Sequence, residues 1–268
     1  MVLVDGVAGG RVSPLDRGLN YGDGLFETIR LHEGRLPLLE RHLARLRAGC
    51  ARLGIPWPGD DALAGDLRQV TGDGEGVVRI VVTRGSGGRG YAPPERAQAT
   101  RIVSRHALPR ATQGGLSVGV CNVRLGRNRH LAGLKHVSRL EQVVAAAEAQ
   151  ERGWQEGLML DDRDCVVEGT RHNLFYVRDG RLLTPPVDEC GVAGVMRAQI
   201  LELFAAGDGC EEPLGYDALH ALDEVLLCNA VVGVRVVNRL QGRRLAGGHT
   251  GAEVAHRLRE AGVAWAVV

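Results

Sequence analysis

Two apolar rhythms alternate along the chain. Leu39, Leu43, Leu46, Cys50 and Leu53 recur at the spacing of one helix face, and Gly54 followed by Pro56 stops the run, so a helix is predicted over 37–54. Asp60 opens a second predicted helix over 60–70. Between such stretches lie runs of strand length. Leu25–Leu31 follows the tight turn Tyr21-Gly22-Asp23-Gly24, and Val77–Thr83 precedes a glycine-rich loop. Residues 1–12 read as a hairpin with Asp5-Gly6 and Gly9-Gly10 as turn material. Residues 106–115 combine Pro, Gly and polar side chains without period and predict a boundary: a first domain over 1–107, a linker over 108–114 and a second domain over 115–268.

The second half predicts strands at 116–123, 157–161, 165–168, 172–177, 181–184, 224–229 and 233–238, with Arg178-Asp179-Gly180 as a hairpin turn. Helices are predicted over 139–152, from Gly194 to about Ala206, and over 251–261. Ser138-x-x-Glu141 predicts a capping box for the first of these. Strands in the middle flanked by helices make the class mixed α/β.

Composition narrows the functions. A length of 268 residues suits two domains with a core each, and a net charge of +1 gives no whole-chain reason to expect nucleic acid or an acidic membrane. The aromatic content of 4% also argues against base-stacking platforms. Six scattered cysteines show no C-x-x-C or zinc spacing, so metal is not expected. The N-terminus is charged too early for a signal peptide, and no apolar run could span a bilayer. A cytoplasmic protein with reduced thiols is expected.

One residue stands out chemically. Of the 33 basic residues, 32 are arginine and one, Lys135, is lysine. Arginine can replace lysine as a solvated charge. It cannot replace an amine that loses its proton and attacks a carbonyl to form a Schiff base. Lys135 therefore points to amine chemistry, or else is a surface lysine left over in an arginine-rich chain.

Glycine clusters offer less. Gly72-x-Gly74-x-Gly76 lacks a surrounding βαβ unit, and Arg84-Gly85-Ser86-Gly87-Gly88-Arg89-Gly90 lacks the Lys-Ser/Thr of a phosphate-binding loop. The latter reads as a mobile basic loop able to clasp a carboxylate through Arg84 or Arg89, or as a plain solvated hairpin loop.

Arg84–Tyr91, Arg124–His136 with its Leu131-Ala132-Gly133-Leu134-Lys135 core, and Arg139-Leu140-Glu141-Gln142-Val143 resemble stretches of the class IV (fold type IV) pyridoxal-phosphate enzymes. The resemblance runs from Asp16-Arg17-Gly18 to Asn229. That family contains branched-chain and D-amino-acid aminotransferases and 4-amino-4-deoxychorismate lyases, and the basic stretches look most like the lyase branch. The resemblance implies two α/β domains, a small N-terminal one and a larger C-terminal one with a pseudo-barrel sheet. It also implies pyridoxal 5'-phosphate as cofactor and a homodimer.

Residue by residue, it implies that Lys135 holds the cofactor and later moves protons. Cations and a helix start near Lys135 would lower its pKa, as Schiff-base exchange requires. Glu168 matches the acid that pairs with the pyridine nitrogen, although alone it reads as a hairpin glutamate facing water. Asn173 matches a supporting residue. Gly194-Val195-Met196 and Asn229-Ala230 match two backbone cradles for the phosphate. Arg45 matches a phosphate-binding arginine and reads equally as an exposed helix salt-bridge residue.

Tyr21, Phe26 and Thr28 match pocket positions, and Tyr21 and Phe26 also suit core packing. Arg79 matches a cation for a substrate carboxylate, and Arg84, Arg89 and Tyr91 belong to the lyase-like loop. Where branched-chain aminotransferases carry a cofactor-contacting tyrosine after the lysine, this chain has Leu140, which cannot make that contact. The expected activity is cleavage of 4-amino-4-deoxychorismate to 4-aminobenzoate and pyruvate on the route to folate, with Lys135 and Thr28 as candidate proton carriers. Transamination of branched-chain or D-amino acids is the alternative, and a non-catalytic cofactor binder is the third.

Overall fold

The computed structural model describes residues 1–110, 115–204, 209–247 and 249–266. The chain divides into two units: Met1–Pro109 with Lys135–Ser138, and Arg110–Leu134 with Arg139–Val268. Four residues of the segment assigned to the C-terminal domain by sequence, 135–138, thus group with the first unit. Within the expected linker, residues 111–114 lie outside the described residues, as does Ala206, the expected end of the helix from Gly194.

In the first unit, strands β1 (Val2–Val4), β2 (Val7–Ala8), β3 (Gly24–Leu31), β4 (Gly76–Thr83) and β5 (Thr100–His106) form an antiparallel sheet ordered β2-β1-β5-β4-β3. The alternation of β3 decides its faces. Leu25, Glu27, Ile29 and Leu31 are buried, whereas Phe26, Thr28 and Arg30 are only partly covered. Helix α2 (Leu39–Leu53) packs against β3, and α3 (Asp60–Val70) packs against β5 and β1. The buried stripe of α2 is His42, Leu46, Gly49 and Cys50, so a histidine occupies an apolar helix position. Full burial of an aliphatic side chain such as Leu46 stabilises by roughly 1.5–3 kcal/mol. Strand β5 was not foreseen. Its sequence TRIVSRH places only Ile102 and Val103 as apolar residues among polar ones.

The second unit carries β6 (Leu116–Leu125), β7 (Glu156–Asp161), β8 (Cys165–Gly169), β9 (Asn173–Arg178), β10 (Arg181–Thr184), β11 (Gly209–Glu211), β12 (Leu214–Gly215), β13 (Glu224–Asn229), β14 (Gly233–Leu240) and β15 (Arg243–Arg244). Among the described residues these form one sheet whose middle closes on itself: β9-β13-β14-β6-β7-β8, with β8 returning to β9 through the single pair Glu168–Asn173. The β14–β6 and β6–β7 pairs are parallel and the other ring pairs antiparallel. All six ring strands feed one core cluster, including Val118, Leu158, Val166, Leu174, Leu227 and Val237. Helix α4 (Leu140–Glu151) covers a smaller cluster of Cys121, Leu125, Met159 and Val167 through Ala145. Helices α5 (Val195–Phe204) and α6 (His249–Glu260) complete the unit.

The predicted capping box does not form. The N-cap of α4 is Arg139, whose side chain makes no capping bond, and Glu141 instead accepts from the Gly126 N–H at 2.8 Å. The carboxylate serves the preceding basic stretch rather than the helix end. No helix among the described residues is long and apolar enough to cross a membrane.

Candidate active site

In the first unit, Lys135 rides on extended backbone fastened to the open edge of β3. Its carbonyl accepts from the Phe26 N–H at 2.9 Å, the Val137 N–H donates to the Gly24 carbonyl at 3.0 Å, and Leu25 pairs antiparallel with His136. The turn before β3 is shaped by this arrangement. Gly22 ends the short helix α1 (Arg17–Tyr21) at a φ of 68°, and a Cβ there would lie 1.9 Å from the Ser138 Oγ. Only glycine meets both demands.

The Lys135 Nζ lies 4.4 Å from the centre of the Phe26 ring, and the Arg79 guanidinium carbon is also 4.4 Å from it. Arg79 stands opposite Thr28 in the β3–β4 register. Phe26, Thr28, Arg79 and Lys135 are therefore brought together. An aromatic face between two cations draws them electrostatically.

Behind β3 lies a buried polar cluster. Glu27, 1% exposed, accepts from the Arg45 Nε at 2.8 Å and Nη2 at 2.5 Å, and from the His42 Nδ1–H at 2.6 Å. Burial alone would push the Glu27 carboxyl up; the Arg45 charge, with bonds from His42 and Arg45, outweighs it and holds the group below the ordinary carboxylate range. Burial pushes His42 down, so its ring is neutral and donates from Nδ1. Arg45 is thus tied to an internal carboxylate instead of being an exposed helix arginine. Glu27 and His42 were missed, though the signal was present: each is a polar residue at an apolar position of its element's period.

Bonds from Arg84 and Arg17 tie both ends of the segment 84–92 to the rest of the first unit. Arg84 is buried and faces inward: Nε and Nη2 bind Asp23 at 2.7 and 3.0 Å, Nη1 binds the Gly54 carbonyl at 2.6 Å and Nη2 the Leu53 carbonyl at 2.8 Å. These bonds close the C-terminus of α2 and remove Arg84 from the carboxylate-binding candidates. Arg17 donates to Asp23 and to the carbonyls of Gly90, Tyr91 and Ala92. Burial pushes the Asp23 carboxyl up, but bonds from Arg84 and Arg17 bring it below its ordinary value. Tyr21 and Tyr91 meet edge to face at 5.6 Å, and Arg89 is exposed.

In the second unit, Glu168 is 4% exposed rather than facing water. It accepts from the Val192 N–H at 2.9 Å, and the Asn173 amide, which donates to the Val192 carbonyl at 2.8 Å, stands 3.5 Å from it. Gly133 is bonded to Gly191 and Ala193 on either side of Val192. Gly194 directly precedes α5, and a Cβ there would lie 1.9 Å from the Asn173 Oδ1. The first-turn N–H groups at Val195 and Met196 have no partner within the helix, as in any helix, and favour an anion. Asn229 folds the β13–β14 turn, its Oδ1 accepting from the Val231 and Val232 N–H groups at 2.9 and 3.0 Å around Ala230.

A second buried acid lies under the turn between β8 and β9. Glu156, 2% exposed, accepts from the backbone N–H groups of Gly157 and Thr170, both at 3.0 Å, from the Thr170 hydroxyl and from the His172 ring. Burial raises its carboxyl, and the His172 bond leads the contacts that bring it below the ordinary range.

In the second unit, a glycine-only approach before α5 and a held carboxylate suit a phosphate and a basic ring nitrogen; in the first unit, an amine on a sheet edge suits a carbonyl. The chain's residues 24–240 match the amino-transferase class IV family, and the chain belongs to it. Its sequence is 34% identical to aminodeoxychorismate lyase of Vibrio harveyi over 249 residues, 89% of this chain and 90% of that protein. It is 32% identical over 260 residues to a protein of Methanocaldococcus jannaschii provisionally named a branched-chain-amino-acid aminotransferase, covering 93% and 89%. The crystal structure of 4-amino-4-deoxychorismate lyase from Pseudomonas aeruginosa superposes with a TM-score of 0.91 at 43% identity, over 97% of this chain and 98% of that one.

Proposed function

We propose that this chain is a pyridoxal-phosphate-dependent lyase that converts 4-amino-4-deoxychorismate to 4-aminobenzoate and pyruvate, a step toward folate. The observation that carries the chemistry is the sole lysine of the sequence, Lys135, fixed on the β3 edge beside Phe26. Similarity over nearly the whole chain to the Pseudomonas lyase supports the choice of reaction.

Bound through its carbonyl, pyridoxal phosphate supplies an electron sink for the carbon that bears the substrate's amine. Lys135 would hold the cofactor, and its Nζ, when free, would be the base for the proton on the amine-bearing ring carbon. Glu168, aimed by Val192 and Asn173, would keep a proton on the pyridine nitrogen. The N–H groups at Gly194-Val195-Met196 and the Asn229-Ala230 turn receive the phosphate, and Arg45 adds its charge. The enolpyruvyl group leaves from the neighbouring carbon, and Lys135 or Thr28 returns a proton to give pyruvate. Atoms balance between substrate and the two products, with no water or oxidant entering. Arg79, on the face of Phe26 and Thr28, and Arg89 supply cations for the substrate's two carboxylates, and Tyr21 and Tyr91 line their approach.

The homodimer belongs to this proposal. Exposed Leu140, Val143 and Val144 form an apolar stripe on α4 that a second copy would cover. A cytoplasmic location is supported by six cysteines that are all free. Transamination is the second reading, favoured by the aminotransferase-named relative at 32% identity.

The test is a product assay with aminodeoxychorismate generated in place by a synthase and no 2-oxo acid added. Equal 4-aminobenzoate and pyruvate, falling by about 10⁴-fold or more in Lys135→Ala, is the expected outcome. Lys135→Arg should not rescue it. A cofactor-loaded protein that gives no product without a 2-oxo acid, but turns over an amino acid with one, would establish the second reading instead.

A further inference from the structure

The segment 84–92 carries two of the side chains assigned above to the substrate, Arg89 and Tyr91. Both are exposed, Tyr91 at 85%. An exposed loop that must order itself on binding loses affinity to its own freedom. Arg17 removes that freedom.

The Arg17 side chain is 4% exposed and gathers three successive backbone carbonyls. Nη1 donates to Gly90 at 3.1 Å and Ala92 at 3.3 Å, and Nη2 donates to Tyr91 at 2.7 Å. Its Nε donates to Asp23 at 2.8 Å, and Asp23 is shared with Arg84, which binds the last carbonyls of α2. A line of charge-assisted bonds thus runs from the end of α2 through Arg84, Asp23 and Arg17 to the backbone at 90–92.

The loop is cut to fit this arginine. A Cβ at Gly87 would lie 2.8 Å from the Arg17 Cδ. The Tyr21 ring covers the guanidinium at 4.9 Å, and the Tyr21 hydroxyl accepts from the Gly90 N–H at 3.3 Å. Desolvating a guanidinium is costly, and here its bonds beyond Asp23 go to the backbone carbonyls of Gly90, Tyr91 and Ala92.

We propose that Arg17 is a positioning residue for substrate recognition: it holds residues 88–92 in one conformation, so that Arg89 and Tyr91 meet the substrate already ordered. The proposal rests on the reading of Arg89 and Tyr91 as substrate contacts. Lysine at position 17 keeps the charge and the pairing with Asp23 but cannot span three carbonyls from a rigid fork.

The experiment compares cofactor-loaded wild type, Arg17→Lys, Tyr91→Ala and the double variant. Lyase kinetics, amide hydrogen exchange of the 86–93 peptide and thermal melts are measured on each. In Arg17→Lys, KM is expected to rise about tenfold or more while kcat stays within about threefold. Exchange should quicken in 86–93 with the rest of the protein unchanged. The double variant should have a KM close to that of the worse single variant, because both changes act through one element.

An unchanged KM in Arg17→Lys overturns the proposal. So does a KM effect that multiplies with that of Tyr91→Ala, or a loss of activity that merely tracks a lowered Tm. Absence of lyase turnover in the wild type counts against the proposed reaction instead; KM for an amino-acid donor with 2-oxoglutarate then replaces the lyase KM. Equal protection of 86–93 in wild type and Arg17→Lys refutes the positioning role whichever reaction the enzyme runs.

Discussion

Each unit buries a glutamate bonded to a histidine Nδ1, and the two are built differently. Glu27 sits behind the strand that carries Phe26 and Thr28, and its second partner is the permanent cation Arg45. Glu156 sits under the turn that joins Glu168 to Asn173, and its further partners are two backbone N–H groups, a hydroxyl and, at 3.5 Å, the solvent-exposed Arg171. The first is a buried bidentate ion pair that holds a side chain. The second is a cage of mainly neutral donors, with its one arginine at the surface, that holds a backbone turn. Buried charge is thus used once to aim a cation and once to shape a hairpin.

The difference predicts unequal costs. Glu27→Gln leaves the Arg45 charge without its counter-ion and should destabilise by about 3–5 kcal/mol, read as a lowered urea midpoint. Glu156→Gln keeps a carbonyl for part of the cage and should cost about 1–3 kcal/mol. If the two variants unfold at the same urea concentration, the distinction between ion pair and cage is wrong.

Acid should separate the units too. Both glutamates have pKa values below their ordinary ones, so the stability they contribute is present at neutral pH and lost as pH falls through those depressed values. His42 is also depressed, hence its contribution is complete above about pH 6.5 and declines below that. Amides of α2 and β3 should therefore lose protection at a higher pH than those of β7 and β8. Hydrogen exchange at pH 7.5, 5.5 and 4.0, corrected for intrinsic rates, checks the order, and simultaneous loss would refute it. A last test is Gly194→Ala, whose Cβ would force the buried Asn173 amide to shift. It should weaken pyridoxal phosphate binding several-fold, read by absorbance titration, and destabilise the apoprotein by about 1–3 kcal/mol, read in urea.

Much of this was legible in the sequence. The helical period and the stop at Gly54 placed α2, and the glycine turns at Asp5-Gly6 and Asp179-Gly180 placed two hairpins. Strand β5 was hidden by its polar residues, and its pairing with β4 and β1 is what makes it a strand. Ser138 and Glu141 had capping spacing, but long-range geometry gave Glu141 to Gly126. Arg84 looked like a surface cation because sequence cannot show that Asp23 and the end of α2 surround it. Composition drew attention to Lys135 and the family resemblance to Glu168; their mounting on a strand edge and at a strand pairing is tertiary.

The ring of the second unit has one rung between β8 and β9, and that rung is Glu168–Asn173. It behaves as a clasp. A bound group gripping either side chain, as proposed for the cofactor, would favour the shut clasp, and by linkage opening the clasp would weaken its hold on that group. Loss of colour and loosening of the ring would then be coupled, each reporting on the other.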